Sequence, residues 1–570
     1  MANANGGEAK KVEALQPHPV MEQLPGVQYC VNSPPPWPEA LVLGFQHYFL
    51  TLGTTVLIPI LTVPQMGGDN ADKAKVIQTQ LFVSGVNTLL HSFFGTRLPS
   101  VIGCSYAYLI PTISILQAKR YRKIQEPYEQ FGETIRGIQG ALIVASGFQM
   151  VIGFVGLWRN AVRFLSPLSI VSLVSFTGLG LYHLGFPLLA KCVEVGLPEL
   201  ALMVLISQAS SSWSYSRSDP VLLRQFLKQI DHVGLLTQSH HDFYREYLPQ
   251  YIKSKRPICD RFAVLFSVAI VWVYAEILTW TGAYNKSMDA SSNCRNDRAG
   301  LISGAPWIYV PYPFQWGSPT FRAGEAFATM AAAFVASIES TGTFLATARY
   351  GSATPVPPSV VSRGVGWLGV GTLLGGIFGS VAGSTASVEN AGLLALTRVG
   401  SRRVAQISAV FMIFFSIFGK FGAIFSSIPL PIIAALYCIF FGYVSSAGLS
   451  HLQFCNLNSF RTKFVLGLSF SLGLSLPQYF REHQLSSGTG PVHTHARWFN
   501  DIISVIFMSH ATVAAVVALL LDCTLPHGDD EHHKDSGLHW WEKFVLYTKD
   551  VRSDEFYRLP CKLNKLFPSL

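Results

Sequence analysis

The sequence predicts an all-α polytopic membrane protein: about 14 transmembrane segments in a 7+7 inverted repeat, with two half-helices preceded by short strands. Three observations carry that prediction. Of the 570 residues 49% are hydrophobic and only 13% charged, with a mean hydropathy of +0.33, too apolar for a chain whose surface faces water. Uncharged runs of about 20 residues, enough to cross a hydrocarbon layer, recur along most of the length. Two stretches rich in Gly and Ser, far apart in the chain, read as copies of one another.

Taken in order, residues 1–38 are polar and Pro-rich, with no short apolar run followed by a small-residue cleavage site, so no cleaved signal peptide is expected. The apolar runs then begin after Glu39, Gln78, Gln139, Phe164, Phe186, Arg261, Phe321, Arg363, Arg403, Pro429, Lys463 and Asp501. Basic residues fall between them: Arg159 and Arg163, then Lys253, Lys255, Arg256 and Arg261, then Arg349, Arg363, Arg398, Arg402, Arg403, Arg461 and Lys463. Starting with the N-terminus inside, these connections are cytoplasmic, which is where Lys and Arg are retained. Both termini are then cytoplasmic. Lys119, Arg120, Arg122 and Lys123 dissent, because the same count puts them outside. An Asn-x-Ser sequon at Asn285 lies in a polar loop the count places outside, as a glycosylation acceptor requires. The net charge of +9 is explained by this loop bias, so nucleic acid is not an expected partner. The nine cysteines are scattered without a CxxC pair. They read as packing residues, with neither a metal site nor a disulfide framework indicated.

The two interrupted crossings are SVIGCSYAYLIP, from Ser100 to Pro111, and SVAGSTASVEN, from Ser380 to Asn390. Ser100, Val101 and Gly103 match Ser380, Val381 and Gly383, and Ser105 falls opposite Thr385. They are the third and tenth crossings, an odd separation, so the second half is inserted upside down relative to the first. In such inverted repeats the broken crossings meet near the midplane and form a substrate site with half-helix N-termini. Broken backbone at that depth is tolerable only where it is buried or lines a cavity. A short extended stretch is therefore expected to lead into a half-helix starting near Glu389, with free N–H groups pointed at the site.

Glu339 lies roughly 21 Å into its segment at 1.5 Å per residue, near mid-membrane. A carboxylate there costs about 2.5 to 3.5 kcal/mol even on the lenient insertion scale, so it is expected to face a cavity and to be paired, bound to substrate or protonated. The bland alternative is a helix-packing glutamate. Glu389 precedes AGLLALTR; it suits a helix cap and also a ligand's N–H donors. Gln46 and His47, early in the first crossing, and Tyr106, in the first broken segment, would each alone read as core. Tyr106 nevertheless offers an aromatic face for stacking a flat ring, and Thr343, one turn after Glu339, a hydroxyl on the same face. Two carboxylates, backbone donors and an aromatic face suit a flat heterocycle with several N–H and C=O groups. A desolvated carboxyl at Glu339 would also load a proton with substrate.

At these residues the chain resembles the nucleobase-ascorbate transporter family, and specifically its plant branch. The family signature is an acidic, Gln or Pro residue, then N-x-G, four residues, and Thr before a basic or small residue. ENAGLLALTR fits it throughout, at Glu389, Asn390, Gly392, Thr397 and Arg398. The pair Gln46–His47, the acidic Glu339 and the GxSYA stretch before Tyr106 match further family positions, and the likeness extends into the tail HWWEKF and SDEFYRLPCKLNKLFPSL. The resemblance implies substrate contacts at Glu339, Glu389, Tyr106, Val388 and Ser105, with Thr343 nearby. It implies proton coupling or support of the site at Glu339, His47, Gln46 and Asn390. Where some relatives have His or Asp, this chain has Thr343. Glu389 in place of Pro points to nucleobases over ascorbate.

The resemblance also implies a domain order: a core from 39–158 and 321–425 (crossings one to four and eight to eleven), and a gate from 159–282 and 426–522 (the rest). Residues 283–320 form an extracellular loop and 523–570 a cytoplasmic tail. The core moves like an elevator against the gate, which also dimerises. No metal and no cofactor is expected, the proton serving as coupling ion. The expected partners are a nucleobase, the plasma-membrane bilayer and a second copy of the chain. One stretch, 209–246, does not match the family text; it reads as a translated intron or, if genuine, as a loop in which VLLRQFLKQI has helix-like spacing for the membrane face. The segment HGDDEHHKD reads as a solvated tail. The alternatives are an ascorbate or small-anion transporter of the same fold, or a non-transporting receptor or inactive splice product. No metal-ligand cluster or nucleophile elbow supports an enzyme.

Overall fold

The computed structural model describes residues 24, 26–215, 261–282, 294–295, 301–526, 540–541, 551–560 and 563. The first half contains α1 (Trp37–Thr62), α2 (Asn70–Phe93), strand β1 (Ile102–Cys104), the half-helix α3 (Leu109–Leu116), α4 (Pro127–Phe154), α5 (Leu157–Arg163), α6 (Pro167–Leu179), α7 (Val193–Tyr215) and α8 (Ala263–Trp280). The second contains α9 (Ala323–Tyr350), α10 (Pro358–Phe378), strand β2 (Ser384–Ala386), the half-helix α11 (Val388–Thr397), α12 (Arg402–Ile417), α13 (Gly419–Ser426), α14 (Leu430–Leu449), α15 (Phe460–Ser487), α16 (Arg497–Phe507) and α17 (His510–Thr524).

Among the described residues five helices are long and apolar enough to cross a membrane, or up to eight if each bent pair is one span. The protein is therefore a multi-pass membrane protein. Helices such as α2 fall outside that count because they are polar inside: α2 buries Gln78, Gln80, Asn87 and His91. Two boundaries depart from the sequence expectation. The fourth crossing starts at Pro127 rather than after Gln139, because its first turns are polar yet still helical. The last crossing is broken by a 79° bend between α16 and α17.

The helices pack as two groups. In one, α1, α2, α4, α9, α10 and α12 surround the two strands and half-helices; in the other, α6, α7, α8, α14, α15 and α17 pack together. The tightest contact in the first group is α4 on α10, where a Cβ on Gly153 would stand 2.2 Å from the Gly366 nitrogen. Only glycine lets the two backbones approach so closely. In the second group, α8 turns Ser267, Val271 and Ala275 inward and exposes Ile270, Val273 and Ile277, the apolar outer stripe a lipid-facing helix needs.

The two broken crossings meet as an antiparallel ladder, Ile102 opposite Ala386, Gly103 opposite Thr385 and Cys104 opposite Ser384. The alignment that matches Gly103 with Gly383 also matches Cys104 with Ser384, so at one rung each copy pairs with its own counterpart. A local two-fold relation between the copies requires this. The ladder also satisfies backbone groups that the membrane interior would otherwise leave unpaired.

The reading of every cysteine as a packing residue is corrected: Cys192 and Cys294 form a disulfide that joins the approach to α7 to the loop before α9. Their separation of 102 residues concealed the pair. In the dissenting basic cluster, Arg120 donates to both carboxylate oxygens of Glu325 at 2.5 and 2.6 Å and lies 4.3 Å over the Tyr121 ring. Helix α7 continues into the atypical stretch as far as Tyr215. The rest of that stretch, Asn285 and the HGDDEHHKD segment lie outside the described residues.

Candidate functional site

Ser387 caps α11 by accepting from the Asn390 backbone N–H at 3.3 Å. This fixes where the strand ends and the half-helix starts, one residue before Glu389 as the extended-then-helical reading expected. On the facing side, His47, Thr51 and Thr54 recur at helical spacing on α1 and form a polar stripe. The Asn390 amide donates to the Thr51 hydroxyl at 3.1 Å and to the Ser387 hydroxyl at 2.7 Å. Its oxygen lies 2.8 Å from His47 Nδ1. Because that oxygen can only accept, Nδ1 carries the proton and His47 donates. Thr54 donates to Glu389 Oε1 at 3.3 Å. The buried network thus joins α1 to the half-helix α11.

Glu389 is buried, and its carboxylate turns back toward the backbone N–H groups of Val388 and Glu389 and the Ser387 hydroxyl. It is the acidic residue of the first turn of its own half-helix, next to the partial positive charge there. Glu339 is placed differently. Its Oε1 accepts from the Ser509 hydroxyl at 2.9 Å, and it lines a cavity of ≈ 250 Å³ between the two helix groups. From the first group Tyr106, Val335 and Val388 join it; from the second come Phe176, Ser509 and His510. The Tyr106 hydroxyl is buried without a hydrogen-bond partner. Arg481 and His183 also line the cavity, toward the ends of α15 and α6.

The structure therefore brings Glu339, Tyr106 and Val388 to one cavity, and Glu389, Asn390 and His47 to one network immediately behind the Val388 wall. Others of the sequence candidates sit elsewhere. The Thr343 hydroxyl donates to the Glu339 backbone carbonyl at 3.0 Å, so it serves its own helix. Ser105 caps the turn after β1 by accepting from Ala107 N–H at 3.2 Å. The Gln46 amide donates to the Arg261 carbonyl at 3.0 Å, across to the approach of α8. In the signature, Gly392 admits α14, since a Cβ there would lie 2.5 Å from the Phe440 carbonyl oxygen. Thr397 hydrogen-bonds back to Leu393. Arg398, at φ 55°, ends the half-helix.

Sequence reasoning missed the second wall. Ser509 and His510 sit where the last crossing breaks, and Ser509 is also the cap of α17, accepting from Thr512 N–H. The signal was present in MSHAT, a polar S-x-x-T step inside an apolar run. Thr51 and Thr54 were equally legible as the continuation of the His47 face.

Broken crossings that meet beside a largely apolar cavity holding the Glu339 carboxylate, between two packed helix groups, define a multi-pass membrane permease. The Permease family model Xan_ur_permease matches residues 38–211 and 250–482. The gap between those matches nearly coincides with the atypical stretch. The chain is 59% identical to nucleobase-ascorbate transporter 7 of Arabidopsis thaliana over 561 residues, which covers 98% of this chain and 97% of that protein. It is 57% identical to nucleobase-ascorbate transporter 6 of the same plant over 566 residues, 99% of each. To nucleobase-ascorbate transporter LPE1 of Zea mays it is 52% identical over 561 residues, 98% of this chain and 99% of that one. The chain belongs to the nucleobase-ascorbate transporter family, as its ENAGLLALTR motif implied; it is a transporter and not an enzyme. Among solved structures, SLC26A9 covers 76% of this chain and 61% of its own at 13% identity and a TM-score of 0.42, too distant to bear on the site.

Proposed function

We propose that this protein is a proton-coupled symporter of nucleobases such as xanthine, urate, uracil, adenine or guanine, working by elevator-type alternating access. The observation that carries the reading is Glu339, a mid-membrane carboxylate that lines a cavity between two helix groups and holds one hydroxyl donor from the opposite group. A carboxyl there can bind a ligand N–H or a proton, and both bonds are remade when the groups move. Tyr106, with an unpartnered hydroxyl in the same wall, supports a flat aromatic ligand. The names of the relatives support the substrate class. The antiparallel ladder between matching residues supports the 7+7 inverted repeat of about 14 crossings. In this reading the group with α1 and α9 is the moving core, the other is the gate through which two copies pair, and both termini face the cytoplasm from the plasma membrane.

One observation favours a second reading, an acidic substrate such as ascorbate: Arg481, His183 and His510 line the cavity opposite Glu339. A site of two carboxylates alone would have argued against an anion. The test is uptake of radiolabelled xanthine, urate, uracil, adenine and ascorbate in transporter-deficient cells, with and without an uncoupler, for the full chain and for a version lacking 209–246. Uncoupler-sensitive nucleobase uptake is expected, and it is lost as uphill accumulation in Glu339→Gln. Surface-expressed protein that carries none of the nucleobases overturns the first reading; ascorbate uptake alone selects the second.

A further inference from the structure

Along the seam between the two helix groups, the described residues of the C-terminal tail lie to one side of the cavity. Helix α6 shows the separation: Phe176 and Thr177, near its C-terminal end, line the cavity, whereas the Leu165 carbonyl, just before its N-terminus, accepts from Trp541 Nε1 at 2.9 Å. The two positions are roughly 17 Å apart along the helix at 1.5 Å per residue. Trp541 is 1% exposed and Trp540 8%. Trp540 lies against Phe454, beyond α14, with ring centroids 4.6 Å apart. Both anchors belong to the second group. The same two tryptophans line a space of ≈ 40 Å³ with Leu345, Ala348 and Thr354 of the first group.

A few residues on, the tail is fixed to that first group. In α18 (Val551–Tyr557), Ser553 donates to the Thr354 hydroxyl at 2.7 Å and Tyr557 to the Thr354 carbonyl at 2.5 Å. Arg363 of α10 donates to the Tyr557 carbonyl at 3.1 Å, and Arg402 of α12 to the Phe556 carbonyl at 3.0 Å. Phe556 and Tyr557 are buried. The described residues of the tail therefore contact both bodies on the side away from the cavity.

We propose that the C-terminal segment is a bolt: Trp540 and Trp541, wedged in the seam, hold the two helix groups in the arrangement whose cavity is open at the far end, and their withdrawal is required for that cavity to close. Withdrawal gives up the Trp541–Leu165 bond and the Trp540–Phe454 ring contact, while α18 stays hydrogen-bonded to the first group. The inference rests on the alternating-access reading above, but not on which substrate is carried.

The test reads cavity closure directly. In a background whose free cysteines are replaced by serine, Ile113→Cys reports access to the cavity by its rate of labelling with a membrane-impermeant maleimide, in full-length protein without substrate. Replacing both tryptophans with alanine is expected to lower that rate at least threefold, because the open arrangement loses its bolt. Labelling of the folded double variant at the parental rate overturns the proposal. A second variant, Trp540→Leu alone, keeps Trp541 and its bond to Leu165. It is expected to lower the labelling rate roughly twofold, and labelling at the parental rate overturns the proposal even if the alanine variant fails to fold. Because no substrate enters either arm, failure here is separate from failure of the nucleobase reading.

Discussion

Replacing Asn390 with alanine removes three side-chain hydrogen bonds at once: the acceptor for His47 and the donors to Thr51 and Ser387. Between membrane helices such bonds average about 0.6 kcal/mol each, with a ceiling near 1.7. The three together give a loss of about 2 kcal/mol. The His47 bond can be isolated by a double-mutant cycle, with His47→Ala, Asn390→Ala and the pair. Because His47 is buried with its proton aimed at Asn390, either single change leaves a partner unsatisfied, and the second change costs less once the first is made. The expected coupling is about 0.6 to 1.7 kcal/mol, read from SDS-induced unfolding in mixed micelles. Asn390→Asp separates the roles, since it can still accept from His47 but cannot donate to Thr51 or Ser387. It should retain the coupling and still be less stable than the parent. A coupling within about 0.3 kcal/mol of zero, the usual error of additivity, would refute the claim that this network ties the first crossing to the half-helix.

Gly392→Ala places a Cβ 2.5 Å from the Phe440 carbonyl oxygen and 2.6 Å from its Cβ; forcing α11 from α14 should cost about 1–3 kcal/mol, and an unchanged melting temperature in detergent would contradict the packing. Ser509→Ala removes a hydroxyl donor to Glu339. A bond to a charged group is worth about 1.5–3 kcal/mol, so uptake should fall about tenfold or more, with Ser509→Thr close to the parent in the same assay. Cys192→Ser and Cys294→Ser should behave alike, each losing about 2–4 kcal/mol of stability and the mobility difference between reduced and non-reduced gels. Different behaviour would mean that the cysteines do not pair.

The two broken crossings were legible because a membrane segment has few reasons to contain Gly, Ser, Thr and a carboxylate together, and the ladder from Ile102 to Cys104 accounts for all of them. Glu339 was legible for the same reason. What stayed hidden depended on partners far away in the chain. Ser509 looked like an ordinary hydroxyl until α9 brought Glu339 against it, and Cys192 had no local companion. Thr343 illustrates the opposite error: helical spacing placed it near Glu339, but a hydroxyl one turn along is more easily satisfied by the backbone carbonyl it overlies. Glu389 was legible as a first-turn acidic residue, but the hydroxyl that caps its half-helix belongs to Ser387.

Where the seam between the groups carries its polar contacts bears on how it can slide. At one membrane end are the Arg261–Glu39 ion pair and the contact of Tyr350 with Ser446 at 2.9 Å. At the other, Ser114 donates to Asp501 at 2.6 Å and accepts from Arg497 at 3.2 Å. Groups near the interface exchange such partners for water at small net cost, about 0.5–1.5 kcal/mol per bond. Midway through the membrane the same exchange would leave bare polar atoms, which cost several kcal/mol each. Between those ends, among the described residues, Glu339 meets Ser509 across the seam and faces the cavity, where water or a ligand can take the place of either partner. The first group, by contrast, is tied internally by the His47–Asn390–Thr51 network and the β1–β2 ladder, which have no such replacement. Breaking the seam is therefore cheaper than breaking the body beside it, and relative motion of the two groups should follow that plane, leaving the half-helices at rest within the first group.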